Sequence, residues 1–328
     1  MPMGKVAIIG GGISGIMLSY RLKQKGFGST IFEKSRGVGG RMATKRWKEK
    51  SYDHGCQYFT ATKPETISLL HELETENVVE IWSRGFSNLS GSQQGDQQKR
   101  WISRKGMTAV AKHLSKNLDI NKQTQIVRIN YDNDQWSLQT DDQHYSGFNA
   151  LAFTCPVPQT LSIINDSKIS LNNDIAQQLG DINYQPCIAI LIDLKGPSNL
   201  PKPGGLWLEG EPFIWVADNS LKGLNDCESS SLVVHCGPQF SSDNIDKSTD
   251  EIWKLISSKL VGYEFGKICD HKIHRWRYSF PTTRHPDKSV LLDEPGLLGF
   301  AGDAFGESKV QGAILSGANL AEDMADRL

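Results

Sequence analysis

Lys5-Val-Ala-Ile-Ile-Gly10-Gly-Gly12-Ile-Ser14-Gly15 opens the interpretable part of the chain, and Ser29-Thr-Ile-Phe-Glu33 follows it. The spacing predicts a short buried strand over 6–9, a tight turn, a helix from Ile13 to near Gly26, and a second strand ending at Glu33. The three glycines have separate tasks. Gly10 permits the turn, Gly12 lets the backbone approach a pyrophosphate, and Gly15 lets the helix pack on the strand. The helix start, with Ser14 in its first turn, offers unpaired N–H groups and positive dipole to phosphates. Glu33 stands about 20 residues on, where an acid accepts a hydrogen bond from a ribose hydroxyl. Strand, turn, helix and acid together specify a dinucleotide-binding βαβ unit.

The continuation Lys34-Ser-Arg-Gly-Val-Gly39-Gly40-Arg41 places a second glycine-rich turn directly after the acid. Such a turn suits the same pyrophosphate from its other side, with Arg41 as counter-charge and Lys34 nearby. An acid followed by Gly-Gly-Arg resembles the FAD-dependent amine oxidase superfamily. The resemblance extends to Asp53-His-Gly-Cys-Gln57-Tyr58-Phe59, a segment that runs near the flavin in that family. It extends also to Gly299-Phe-Ala-Gly302-Asp303 and Val310-Gln-Gly312-Ala313, the second flavin motif. It implies bound FAD. Asp303 would hold ribityl or phosphate groups, and the amides of the Val310, Gly312 and Ala313 helix start would face the pyrimidine edge of the ring. Val127, on a strand expected over 125–130, would touch adenine.

Three further stretches resemble the renalase branch of that superfamily: Thr154-Cys-Pro-Val-Pro-Gln159, Ser231-Leu-Val-Val-His235 and His274-Arg-Trp-Arg-Tyr-Ser279. The branch implies oxidation of 2- or 6-dihydro isomers of NAD(P) to NAD(P)+, with hydride passing to the flavin and oxygen taking the electrons to give hydrogen peroxide. The small-molecule substrate is then a dihydronicotinamide dinucleotide. An amine oxidase, an NAD(P)H-driven reductase and a non-catalytic flavin sensor are the alternatives. Superfamily members place a lysine near the reactive flavin nitrogen, and no lysine of this sequence sits in a matching segment.

Around these motifs the sequence implies an α/β protein. A doubly wound, Rossmann-type FAD domain is assembled from 1–60, 101–156 and 290–328. A second, mainly antiparallel β (α+β) substrate domain comes from 61–100 and 157–289. Residues 66–79 read as a helix with Ile67, Leu70, Leu73 and Val78 on its apolar face, and 87–98 as a loop. Along 271–280, alternation puts His274, Trp276, Tyr278 and Phe280 on one face and Arg275 and Arg277 on the other. The aromatic face is sheet core or pocket lining. The arginine face is solvated or an anion site. His235, Tyr58, Trp276 and Tyr278 are the residues expected over the flavin, with Gln57 beside it. Trp207 and Trp215 read as packing.

Composition excludes other classes. The 328 residues carry 36 basic and 37 acidic side chains, so no global field favours nucleic acid or an anionic membrane. Lys45, Arg46, Lys48 and Lys50 cluster locally and read as a solvated loop rather than a polyanion site. The six cysteines, at 56, 155, 187, 227, 236 and 269, show no Cys-x-x-Cys or zinc spacing, which points to a reducing, cytoplasmic setting and no metal. No export signal and no run of about 18 apolar residues is present. Oligomeric state is left open.

Overall fold

The computed structural model describes residues 4–91, 93–94, 97–226 and 228–328. Strand Lys5–Ile9 sits inside a six-stranded sheet. On one side it pairs in parallel with Gly28–Glu33, which pairs in parallel with Asp119–Lys122. On the other it pairs in parallel with Ala150–Phe153, then Leu297–Phe300, with Val290–Leu292 antiparallel at the edge. Strand order therefore reverses at Lys5–Ile9, and ligands of open α/β sheets bind beyond the strand ends at such a switch point. All residues from Val6 to Ile9 are buried, as a strand covered on both faces requires.

Helices Ile13–Gln24 and Lys309–Ala325 cross on one face of this sheet. Their approach depends on missing side chains. A Cβ on Gly15 would lie 2.2 Å from the Gly10 carbonyl, and one on Gly317 2.2 Å from the Ser14 carbonyl. A three-stranded meander, Arg128–Asp132, Gln135–Gln139 and His144–Phe148, covers the other side through Trp136 and Phe148. The strand expected over 125–130 thus begins at Arg128, and Val127 precedes it.

The second layer is a seven-stranded sheet. Its order is Ile268–Pro281, Tyr184–Leu194, Ser231–Cys236, Phe213–Asp218, Gly205–Trp207, Phe86–Asn88 and Gln93–Gln94. Only the Gly205–Trp207/Phe86–Asn88 pair is parallel. Helix Thr249–Gly262 covers its outer face through Ile252, Ile256 and Leu260, and starts at a capping box between Ser248 and Glu251.

Several sequence expectations are corrected here. The described residues of 87–98, which leave out 92, 95 and 96, are not a plain loop, because Phe86–Asn88 and Gln93–Gln94 form an antiparallel pair. The Lys45–Lys50 cluster is a hairpin, Thr44–Trp47 with Lys50–Asp53, turned by the left-handed Lys48 and Glu49. The first helix after the flavin segments spans Pro64–Thr75 and buries Thr66, Leu69, Leu70 and Leu73, while Ile67 is exposed. Helices Val157–Asp166 and Asn173–Gly180 open the stretch 157–289, which was expected to be mainly antiparallel β. Leu69, Leu70 and Leu73 share a core with Ile8 and Ile16, and Val157, Ile164 and Leu179 share one with Ala7 and Phe153. We therefore place 61–79 and 157–182 with the nucleotide-binding layer rather than with the second sheet.

Candidate active site

Between the two layers lies a cleft of about 2080 Å³. Small-molecule pockets run to roughly 1,000 Å³, so the space accommodates a dinucleotide and a second ligand. One wall is glycine-rich. The two expected turns meet there: Gly39 N–H donates to the Gly11 carbonyl at 2.8 Å, and Gly12 bridges to Gly39. Gly39 and Gly40 both have left-handed φ, 109° and 52°. A Cβ on Gly12 or Gly302 would meet no atom within 4 Å, because both α-carbons face open cleft. Ser14 Oγ is buried without a partner, and neither helix start, at Gly12 or at Ser308, carries a side-chain cap. Unpaired N–H groups and an orphan hydroxyl on an open wall are the donors an anion requires.

Most residues singled out in the sequence line this cleft: Gly10, Gly12, Ser14, Glu33, Lys34, Gly39, Gly40, Arg41, Gln57, Tyr58, Val127, Gly302, Asp303, Val310 and Ala313. So do His235, Trp276 and Tyr278. Gly15 and Gly312 stand behind the wall. Gly312 is a packing glycine, since a Cβ there would lie 1.6 Å from the Glu307 carbonyl.

Glu33 is buried and already organised. One oxygen accepts from Gly11 N–H and the other from Ser35 N–H, each at 2.7 Å. Arg41, expected as a free counter-charge, forms a bidentate pair with Asp303 at 2.6 and 2.7 Å and also donates to the Ser279 carbonyl. The two residues thus act as one unit that ties the second turn to the Gly302 strand end.

The opposite end is aromatic. Tyr58 packs against Trp82, Phe86 and Trp215, with Arg100 over its ring. Trp207 and Trp215 pack edge to face, and both also line the cleft. His54, His274 and Trp276 form a second group, with ring centroids 4.4–5.1 Å apart. The His54 carbonyl accepts from Trp276 Nε1 at 3.0 Å and lies 3.2 Å from His235 Nε2. A carbonyl can only accept, so His235 Nε2 carries its proton. Burial holds all three imidazoles uncharged at neutral pH, His54 down to about 3 and His235 and His274 to about 4. Tyr278 packs on Tyr184. On the other face of the strand Arg275 donates to the Lys247 carbonyl and Arg277 pairs with Asp246, and both arginines also line the cleft.

Two residues of this region were not found from sequence. His54 is the unspecified position of its motif, and only the fold brings it beside His274. Lys222 has a fully buried side chain whose Nζ donates at 2.6 Å to Asp53 Oδ2 and to the Gln57 carbonyl. Asp53 also accepts from Thr44 Oγ1 and Met107 N–H. The lysine therefore braces segment 53–58 from behind. Among the described residues no His, Cys, Asp and Glu cluster could hold a metal ion, and no helix is long and apolar enough to cross a membrane.

Family models match in two places: the NAD(P)-binding Rossmann-like domain over residues 8–73 and the flavin containing amine oxidoreductase over residues 85–325. Renalase from Mus musculus is 22% identical over 337 residues, covering 96% of each chain. Among solved structures, cyclohexylamine oxidase from Brevibacterium oxydans superposes with a TM-score of 0.73 at 13% identity, covering 99% of each chain. Putrescine oxidase bound to putrescine gives 0.72 at 14% identity, again over 99% of each.

Proposed function

The chain belongs to the flavin-containing amine oxidoreductase family and is an FAD-dependent oxidoreductase; from that premise we propose that it oxidises 2- or 6-dihydro isomers of NAD(P). The overall reaction is dihydro-NAD(P) + O2 + H+ → NAD(P)+ + H2O2. The open Gly12 and Gly302 positions and the orphan Ser14 hydroxyl fit a bound FAD. Gly12, Ser14, Gly39 and Gly40 would hold its pyrophosphate. Glu33 would hold the ribose, Val127 the adenine, and Asp303 with Val310 and Ala313 the flavin half. Bound there, FAD supplies a two-electron acceptor.

The observation that carries the substrate reading is an aromatic end of the cleft with neutral imidazoles and no carboxylate. A dihydropyridine becomes aromatic when it loses hydride, so no side chain has to remove a proton. His54, His235 and His274 are all held neutral by burial, and the wall is otherwise Tyr58, Trp215 and Trp276. These rings orient a flat substrate by stacking and exclude water. An ammonium substrate would want a carboxylate at this end. The carboxylates lining the cleft are Glu33, Asp166, Asp303 and Glu307, and Asp303 and Glu307 are paired with Arg41 and Lys63. His235, bonded to the His54 carbonyl, positions the substrate ring.

Anaerobic stopped-flow mixing tests this reading. The 2- or 6-dihydro isomers should bleach the flavin within seconds and amines should not. Rapid bleaching by ordinary 4-dihydro NADPH, with no response to the isomers, would replace the oxidase by a pyridine-nucleotide-driven reductase.

A further inference from the structure

In the hairpin Thr44–Trp47/Lys50–Asp53 the register puts Lys45 and Lys50 on one face and Arg46 on the other. Lys48 is paired with Asp270 and Lys50 with Asp193, each at 2.5 Å. Lys45 shares the face of Lys50 but has no such partner among the described residues. It is half-buried, lines the cleft, and stands close enough to His54 and His274 for its charge to disfavour theirs. Burial, Lys272 and Arg36 together push its ammonium below the usual lysine range. Lys272 lies two residues from His274 on the same strand, and so on the same face. Arg36 lines the cleft from the loop after Glu33. Lys45, Lys272 and Arg36 have no ion-pair or hydrogen-bond partner among the described residues.

Arg36 and Lys272 are exposed, and the charge of each disfavours that of half-buried Lys45 in the free protein. The chain has 37 acidic residues and spends two of them on Lys48 and Lys50 of this very hairpin. Lys45 is left with none among the described residues. A carboxylate ligand would bring a single charge. A phosphate group brings up to two, with several acceptor oxygens for one planar guanidinium and two ammonium groups.

We infer that Lys45, flanked by Arg36 and Lys272, forms a subsite for a phosphate group of the substrate beside the His54–His274–Trp276 wall. The assignment rests on the dinucleotide reading above and names what holds the substrate's charged end. Two sources share this chemistry: the pyrophosphate bridge of any dinucleotide, and the 2′-phosphate that only the NADP series carries.

Calorimetric titration of the FAD-loaded protein with inorganic pyrophosphate, NAD+ and NADP+ tests the subsite. With FAD in place, cations consumed by the cofactor give no signal. Lys45→Gln should weaken pyrophosphate binding roughly tenfold, the scale of one lost charge-assisted contact, and Lys45→Arg should restore most of it. Equal losses for NAD+ and NADP+ identify the bridge, and a loss for NADP+ alone identifies the 2′-phosphate. Flavin absorbance confirms that each variant is folded and loaded. Unchanged binding in Lys45→Gln, or no pyrophosphate binding to the loaded parent protein, overturns the subsite. The titration needs no turnover. Lys45-dependent binding without bleaching by any dihydronicotinamide would therefore keep the subsite and remove the substrate reading.

Discussion

Replacing Lys222 by methionine isolates one buried charge. The substitution keeps the length of the stem and deletes the ammonium that donates to Asp53 and to the Gln57 carbonyl, each at 2.6 Å. Asp53 keeps the Thr44 hydroxyl at 2.6 Å and the Met107 amide at 2.9 Å, but loses its cation partner Lys222. Breaking a fully buried ion pair on one side costs ~3–5 kcal/mol, because the remaining charge cannot return to water. The unfolding entropy of a chain of 328 residues is ~0.7 kcal/mol per degree. Lys222→Met should thus lower the melting temperature of the FAD-loaded protein by ~4–7 °C in calorimetry. The paired variant Lys222→Met/Asp53→Asn removes both charges and keeps an acceptor for Thr44 and Met107. It should recover most of the loss. A single variant within ~1 °C of the parent, or a double variant no better than the single, would refute the reasoning.

Gly12→Val should leave the fold but abolish FAD loading, since its side chain enters open cleft, whereas Gly15→Val should unfold the βαβ unit against the Gly10 carbonyl 2.2 Å away; circular dichroism with flavin absorbance separates the two. Acid precipitation should release all flavin, because burial raises the thiols of the cleft cysteines Cys56, Cys155 and Cys187, the first and last to about 12, and leaves them poor nucleophiles. His235→Ala should slow flavin reduction ~10–100-fold without displacing FAD, as loss of ring positioning predicts; an unchanged rate removes the residue from the site. Stability should fall as pH drops from about 6.5 toward 4, because the unfolded state protonates His54, His235 and His274 first while the folded state holds them neutral. The contribution is complete above the unfolded value, so melting temperatures flat from pH 7 to 5 would contradict the buried, neutral assignment.

The nucleotide half of this fold was legible because its determinants are local. Gly10, Gly12, Gly15 and Glu33 act within one strand–turn–helix–strand, and each needs a property that can be read from residue type and spacing. The same holds for Gly39 and Gly40, whose left-handed backbone joins the second turn to the first. The aromatic end was only partly legible. Alternation placed His274 and Trp276 on one face, but alternation is silent on what that face meets. His54 comes from 220 positions earlier, and its carbonyl collects both Trp276 and His235. Pairing across the chain was illegible altogether. Arg41 and Asp303 were each assigned to the cofactor, yet they bind each other. The lysine-rich run 45–50 looked uniform, yet partners 143 and 222 residues away neutralise Lys50 and Lys48 and leave Lys45 facing the cleft. A charge becomes a site when the fold denies it a partner. That is why Lys222, whose partner lies behind the wall, braces the segment, while Lys45, without one among the described residues, remains available to a ligand.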